Sequence, residues 1–142
     1  MKIKKIIWAT DGSKESDSAL RYAALLAEKT GAEILCLFIS EFIFPISSLI
    51  AVPDDFVIKI AEKTEERFER KFKRVCKNLE GKGIDSTYKI IRDETAHGLI
   101  KTIKKSGCDL VVMGKHGQGF IQRLLIGSNT VKVLKNSPVP VL

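Results

Sequence analysis

The sequence predicts a single α/β domain in which helices cover both faces of a parallel sheet. Three observations lead to this fold class. Strand-like and helix-like segments alternate strictly along the chain, which is typical of βαβ units. The strand segments are short, nearly continuous apolar runs, as expected for strands buried on both faces. The chain has 142 residues, a length typical of one domain, and contains no linker, repeat or low-complexity segment.

The first half of the chain supplies two strands and two helices. "IKKIIWAT" (residues 3–10) predicts the first strand, and Ser13 and Gly31 bracket the first helix as its N-cap and C′ residues. "AEILCLFI" (residues 32–39) predicts the second strand. The apolar segment Glu41–Asp55 contains two prolines, and two interpretations stay open: a lid or partner surface, or a long connection packed on the core. A long amphipathic helix follows it, with apolar residues spaced by three and four.

The second half adds three strands and two helices. "STYKIIRD" (residues 86–93) predicts the third strand, and the short helix after it stops at Gly107. "DLVVMG" (residues 109–114) predicts the fourth strand, and Ser128–Lys135 the last helix. "SPVPVL" (residues 137–142) predicts a fifth strand at an edge of the sheet, because its two prolines lack the N–H that an interior strand must donate.

The composition excludes several classes of protein. No apolar run approaches the roughly 18 residues of a membrane span, and "IIWA" is shorter than the ~7–15 residues of a signal-peptide core. The three cysteines are odd in number and lack CxxC spacing. This usage predicts a reducing compartment, hence the cytoplasm, and argues against a disulfide framework or a zinc site.

The formal net charge of +7 favours anionic partners through its field, and solubility alone explains it equally well. Basic and acidic residues alternate along the long helix, which is typical of a solvated face. We therefore do not expect nucleic-acid binding, because no RNA-binding motif or aromatic interleaving accompanies the lysines.

Two polar segments follow strands that the alternation places side by side. In open parallel sheets, ligands bind beyond the carboxyl ends of the strands, where "ATDGS" and "MGKHGQG" lie. The second segment leads through glycines into the helix opened by Gly127 and Ser128. Amides at such a helix start bind anions, so we predict phosphate binding there, with added charge from Lys115 and Arg123. His116 is interpreted as a phosphate hydrogen-bond donor or, alternatively, a general base.

The spacing of these glycines carries a family resemblance. "MGKHGQGFIQRLLIGSNT" has a glycine, two residues, a glycine, nine residues, and then Gly-Ser, which Gly114, Gly117, Gly127 and Ser128 fill. The stretch resembles the ATP-binding branch of the universal stress protein family. The likeness extends to "KKIIWATDGSKESDSAL" and to "GCDLVVMG" with the closing residues, so it covers nearly the whole chain. One departure is Ala9, where the family usually has proline.

The resemblance implies a five-stranded parallel sheet of order 3-2-1-4-5, the adenine nucleotide alpha hydrolase-like fold. It implies ATP as ligand, with AMP as a further candidate and Mg²⁺ as a companion ion, and a homodimer through the C-terminal edge strand. The glycines and Ser128 are then expected to line ribose and phosphates, and residues 9–11 to face the adenosine. Phe38 stands where the family offers backbone to adenine, and its ring is expected to stack on the base or to crowd it. The predicted nucleotide-binding set is Ala9, Thr10, Asp11, Phe38, Met113, Gly114, His116, Gly117, Gly127, Ser128 and Asn129.

Two functions from different classes fit this pattern. The first is a nucleotide-dependent regulatory module of the stress response, in which ATP stabilises one state that a protein partner reads. The second is a slow ATPase, which needs a positioned metal and compensating charge. Asp11 is the one acidic candidate for a Mg²⁺ ligand, so the sequence favours binding over catalysis and predicts no catalytic residue and no metal ligand. A flavin carrier of flavodoxin type shares the topology and would be a yellow protein.

Overall fold

A computed structural model of the protein describes residues 2–41, 54–115 and 126–142. Strands and helices alternate along this part of the chain, as the sequence predicts. The strands are β1 (Lys5–Ala9), β2 (Glu33–Ser40), β3 (Ser86–Arg92) and β4 (Leu110–Met113). The helices are α1 (Lys14–Thr30), α2 (Asp54–Glu80), α3 (Thr95–Ser106) and α4 (Ser128–Asn136).

The four strands form one parallel sheet of order β3-β2-β1-β4. Strand β1 lies inside the sheet, between β2 and β4. The register at its last residue shows where the neighbouring strands lie relative to its end. Ala9 lies opposite Leu37 of β2 on one side and Met113 of β4 on the other. Strands β1 and β4 therefore end side by side, at the carboxyl ends of the parallel strands.

The prediction of a fifth strand is wrong for the described residues, which contain four strands in the order 3-2-1-4. The last residues do run parallel to β4, but through one bridge, between Val111 and Val141. Its hydrogen bonds include Val111 N to Pro140 O at 3.0 Å and Leu142 N to Val111 O at 2.8 Å. Proline has no N–H to donate, so Pro140 cannot supply the next ladder bond on its side of the bridge, while on the other side Met113 N donates to Leu142 O at 3.0 Å.

A hydrophobic cluster lies on each face of the sheet. The first, covered by α1 and α2, is centred on Trp8 and Phe72, whose side chains are both fully buried and meet edge to face at 6.0 Å. Burial of two large aromatics contributes several kcal/mol, at roughly 1.5–3 kcal/mol for each large apolar side chain. The second cluster is covered by α3 and α4 and contains Leu37, Val111 and Val133.

The helix ends follow the predicted signals. The Ser13 hydroxyl accepts a hydrogen bond from Ser16 N at the start of α1, and Gly31 ends the helix with φ of 72°. Gly107 ends α3 in the same left-handed conformation, with φ of 65°, which glycine adopts without a Cβ penalty. Of the segment Glu41–Asp55, residues 42–53 lie outside the described part of the chain, so both interpretations of it stay predictions.

Close packing between α3 and β2 generates a first testable prediction. A Cβ added at Gly98 would lie 2.8 Å from Asp93 Cβ and 3.2 Å from Ile39 Cδ1. We expect Gly98→Ala to lower the free energy of unfolding by about 1–3 kcal/mol, as overpacking does. Urea denaturation measures the change.

Gly81→Ala is the matched control, because its Cβ would meet its nearest atoms at 3.5 and 3.6 Å, ordinary contact distances. It should change stability by less than about 0.5 kcal/mol. Equal effects of the two substitutions would show that the helix–strand contact at Gly98 is not tight.

Candidate functional site

The candidate site lies at the sheet edge where β1 and β4 end. We call it the rim and define it as residues 9–13, 113–114 and 127–130. Ala9 and Met113 are paired in the sheet and pack against the second hydrophobic cluster. The polar residues of the rim follow directly after these two, so the sheet register fixes where they start.

Thr10 anchors the turn that leaves β1. Its side chain is buried, and its N–H donates to Leu37 O at 3.0 Å, which extends the pairing with β2 by one residue. Its hydroxyl lies 2.8 Å from the Ser16 hydroxyl and accepts from Gly12 N at 3.0 Å. These bonds connect the turn to α1, so the Thr10 side chain stabilises the conformation of the rim.

Asp11 and Gly12 form the tip of this turn. Asp11 Oδ1 accepts from Ser13 N at 3.0 Å, which fixes the carboxylate beside the start of α1. Gly12 has φ of 84°, a left-handed conformation that favours glycine. Asp11 is half-buried, and the turn holds its carboxylate in place.

Gly114 brings β4 against the amino terminus of α1. A Cβ at this position would lie 2.9 Å from Ser16 N and 3.1 Å from Glu15 C, which are both backbone atoms. Gly114 O accepts from the Thr130 hydroxyl at 3.3 Å, so it also contacts the first turn of α4. Glycine at this position thus has a steric reason, a close approach of backbone to backbone, and its predicted contact with a nucleotide stays a prediction.

The amino terminus of α4 is open in the sense that no side chain of the described residues caps it. Gly127 is its N-cap residue and has no side chain to bond the first amides, and the first turn holds no acidic residue. Val131 N makes the first helical bond, to Gly127 O at 3.0 Å. The amides of residues 128–130 precede that bond and carry the positive end of the helix dipole. Ser128 is exposed and Asn129 is half-buried, so this end of the helix is accessible to an anion.

Gly127 takes φ of −65° and ψ of 145°. This is extended backbone that any residue adopts at an N-cap, so a left-handed conformation is not the reason for glycine at this position. The predicted contact of Gly127 with a nucleotide stays a prediction.

The two helices at the rim differ in their electrostatics. The start of α1 is capped by Ser13 and carries Glu15 and Asp17 in its first turn. These groups already compensate the dipole of α1. The open start of α4 is therefore the stronger anion site of the two helix ends.

Phe38 lies at the end of β2, as predicted, but its ring belongs to the core. It is 8% exposed and stacks on Phe68 with ring centroids 3.6 Å apart and planes 7° apart. Phe68 thus covers one face of the ring. A contact of Phe38 with adenine stays a prediction. Because the ring packs on Phe68, the backbone of Phe38 is a better candidate for that contact than its ring.

A set of ion pairs surrounds the ends of β2 and β3, and no local pattern in the sequence predicts it. Arg92 donates to both carboxylate oxygens of Glu65, at 2.7 and 2.9 Å, and holds the pKa of Glu65 below its usual range. A lowered folded-state pKa contributes stability above the ordinary pKa of a glutamate, and that stability is lost as the pH falls. His97 lies 2.9 Å from Asp93 and lowers the pKa of that carboxyl.

Several predicted residues fall outside the described part of the chain, namely His116, Gly117 and Arg123. Lys115 is exposed, and its carbonyl accepts from Gly127 N at 2.9 Å. Among the residues that the structure describes, no group of three or more His, Cys, Asp or Glu side chains is placed to hold a metal ion. No helix within the same residues is long and apolar enough to cross a membrane.

The universal stress protein family matches residues 2–142, and the chain belongs to this family. The chain is 29% identical over 140 residues to the universal stress protein MJ0531 of Methanocaldococcus jannaschii, covering 98% of this chain and 80% of the relative. It superposes on the solved structure of protein MJ0577 with a TM-score of 0.85 and 27% identity, covering 100% of this chain and 95% of the other. A family protein from Arabidopsis thaliana, solved with AMP bound, gives a TM-score of 0.67 at 16% identity, covering 98% and 89%.

The contact at Gly114 generates the second prediction. We expect Gly114→Ala to lower the free energy of unfolding by about 1–3 kcal/mol, because the added methyl meets backbone atoms of α1 that cannot rotate away. Chemical denaturation of the ligand-free protein measures this. Lys115→Ala, next in the chain and exposed, is the control and should stay within about 0.5 kcal/mol. If Gly114→Ala is as stable as the control, β4 and α1 are not in close contact.

Proposed function

We propose that the protein binds ATP at the rim and acts as a nucleotide-dependent regulatory module. The observation that supports this most is the open amino terminus of α4, held beside the turn after β1. Gly114 connects the two, since it packs on Ser16 and accepts from Thr130. One ligand with a polar end and an anionic end fits such an arrangement.

The phosphates are assigned to the α4 side. The amides of Ser128 and Asn129 point out of an uncapped helix start, where anions are stabilised by hydrogen bonds and the helix dipole. The Ser128 hydroxyl is a further donor. Lys115 adds a cation on the same side of the rim, next to Gly114 in the chain.

The adenosine is assigned to the β1 side. Asp11 is a carboxylate, an acceptor-only group, and the bond from Ser13 N holds it in the turn. Ribose hydroxyls are donors and match it. The backbone at Phe38 lies one residue beyond Leu37, to which Thr10 is bonded, and is the candidate for contact with the base.

The AMP-bound Arabidopsis protein supports an adenine nucleotide as the ligand class. At 16% identity it argues through the shared fold alone. AMP contains the adenosine and one phosphate of ATP, so it would occupy the β1 side and only part of the α4 side.

Binding is favoured over hydrolysis. Phosphoryl transfer needs a metal ion, a positioned nucleophile and compensating charge, and Asp11 is engaged by Ser13 N. A slow ATPase is the alternative. Steady-state phosphate release from purified protein separates the two, because a protein that binds ATP without hydrolysing it releases no phosphate.

As a regulatory module, the protein would signal to a protein partner whether nucleotide is bound at the rim. Nucleotide stabilises the arrangement that it binds, and a protein partner reads that arrangement. The free thiols of Cys36, Cys76 and Cys108 favour the cytoplasm as its location. We further propose a homodimer through the C-terminal edge, where Leu134 and Leu142 are 49% and 57% exposed.

Nucleotide binding is the third prediction. We expect ATP to bind with Kd of order micromolar, about −8 kcal/mol, and to raise the melting temperature as its concentration rises. AMP should bind more weakly, because it lacks the outer phosphates that α4 would hold. A melting curve that does not move at millimolar ATP with Mg²⁺ contradicts the proposal, and equal affinities for AMP and ATP contradict the phosphate assignment.

A pair of substitutions at Gly127 isolates the electrostatic contribution of the α4 amino terminus to ATP binding. Its extended backbone suits an N-cap side chain, so both Gly127→Asp and Gly127→Asn should cap α4 and keep the apo protein folded. Asp adds a negative charge where we place phosphate, and Asn does not. We expect ATP to bind Gly127→Asp at least about tenfold more weakly than Gly127→Asn. Equal affinities would remove α4 from the site.

The dimer is the fourth prediction. We expect the protein to sediment as a dimer in analytical ultracentrifugation, and Leu142→Asp to shift it towards monomer because a carboxylate is costly to bury in an apolar interface. Ile60→Asp is the control, since Ile60 is 51% exposed on α2, which packs on β3 at the opposite edge of the sheet. A monomeric wild type, or dissociation by both variants alike, contradicts the proposed interface.

A further inference from the structure

A cleft of about 210 Å³ opens between the edge strand β3 and helix α3. The strand side contributes Lys89 and Ile91, and the helix side contributes Lys101, Thr102 and Lys105. The two helix lysines are four residues apart and thus lie on one face of α3. The cleft follows α3 towards its carboxyl end, whereas the rim adjoins the carboxyl ends of the strands.

The charge of the cleft is one-sided. Three lysines line it, and none of the described residues that line it carries a carboxylate. Within the described part of the chain, Lys89 and Lys105 form no ion pair, and Lys101 Nζ lies 3.9 Å from Asp93 Oδ2. Other lysines of the protein do have close carboxylate partners, among them Lys5, Lys71, Lys73 and Lys132.

Simpler roles explain some of these lysines singly. Lys105 lies in the last turn of α3, where a cation complements the helix dipole. Lys89 lies on an edge strand, where lysine discourages pairing with another chain. Lys101, in the middle of α3, lies 3.9 Å from Asp93 Oδ2, and neither role accounts for the presence of all three lysines along one cleft. Like charges brought together in this way repel one another and favour a counter-ion.

The hydroxyl groups of the cleft are already committed as donors. Thr102 Oγ1 donates to Gly98 O at 2.8 Å, and Ser106 Oγ donates to Ile103 O at 3.2 Å. The ammonium groups, with three N–H donors each, therefore supply the donors that remain for a ligand. A ligand matched to them must offer several anionic oxygens.

We propose that this cleft binds a small anion with two or more negative charges on phosphate or carboxylate oxygens, independently of the nucleotide at the rim. The volume suits a compact metabolite, because it lies below the roughly 300–1,000 Å³ of sites for larger ligands. Binding through ammonium groups near the surface weakens as salt screens the charges.

Calorimetric titration of the full-length, nucleotide-free protein with pyrophosphate, and separately with citrate, tests the proposal at low ionic strength. We expect at least one probe to bind, and Lys89→Gln and Lys105→Gln each to weaken it about tenfold. Binding of pyrophosphate alone identifies a phosphate ligand, and binding of citrate alone a polycarboxylate. Lys104→Gln is the matched control, since it removes the same charge from the residue next to Lys105 without touching the cleft, and it should cost less than about twofold.

Amide spectra of the ¹⁵N-labelled protein locate the bound probe. The expected shifts fall on residues 89–91 and 101–106. Absence of binding, shifts confined to residues 127–130, or equal losses in Lys104→Gln and Lys105→Gln would each overturn the proposal. Because the lysines are exposed, the variants should keep the fold, which circular dichroism checks.

Discussion

The close approach of Gly114 to the start of α1 is the contact on which the rim depends. A side chain at this position would meet Ser16 N at 2.9 Å, so only glycine lets the end of β4 lie against the helix that follows β1. The carbonyl oxygen of Gly114 also accepts a hydrogen bond from the Thr130 hydroxyl. This bond holds α4 beside the turn at Thr10. One capped and one open helix start are thereby brought to the same edge of the sheet.

Most of the fold could be predicted from the sequence because its signals are local. The buried strands are apolar runs, and Ser13, Gly31 and Gly107 mark helix ends through capping chemistry that depends on few neighbours. The candidate site was placed for a similar reason. Strands of a parallel sheet end at the same edge, so polar residues after β1 and β4 had to meet there.

The rest depends on tertiary contacts that no local pattern encodes. The ring of Phe38 stacks on Phe68, thirty residues further along the chain, so its position at a strand end did not reveal its environment. The last residues pair with β4 through one bridge, between Val141 and Val111, and the extent of that pairing is a contact between segments distant in the chain. The ion pair of Glu65 with Arg92 joins α2 to β3, and its residues are ordinary surface charges when seen in sequence alone.

Nucleotide binding at the rim can be tested by a crystal structure of the protein grown with ATP and Mg²⁺. We expect phosphate oxygens within hydrogen-bonding distance of the Ser128 and Asn129 amides, and the ribose beside Asp11. Gly114 should keep its contact with Ser16 when the nucleotide is bound. An empty rim at millimolar ATP, or a nucleotide bound elsewhere on the protein, would contradict the proposed site.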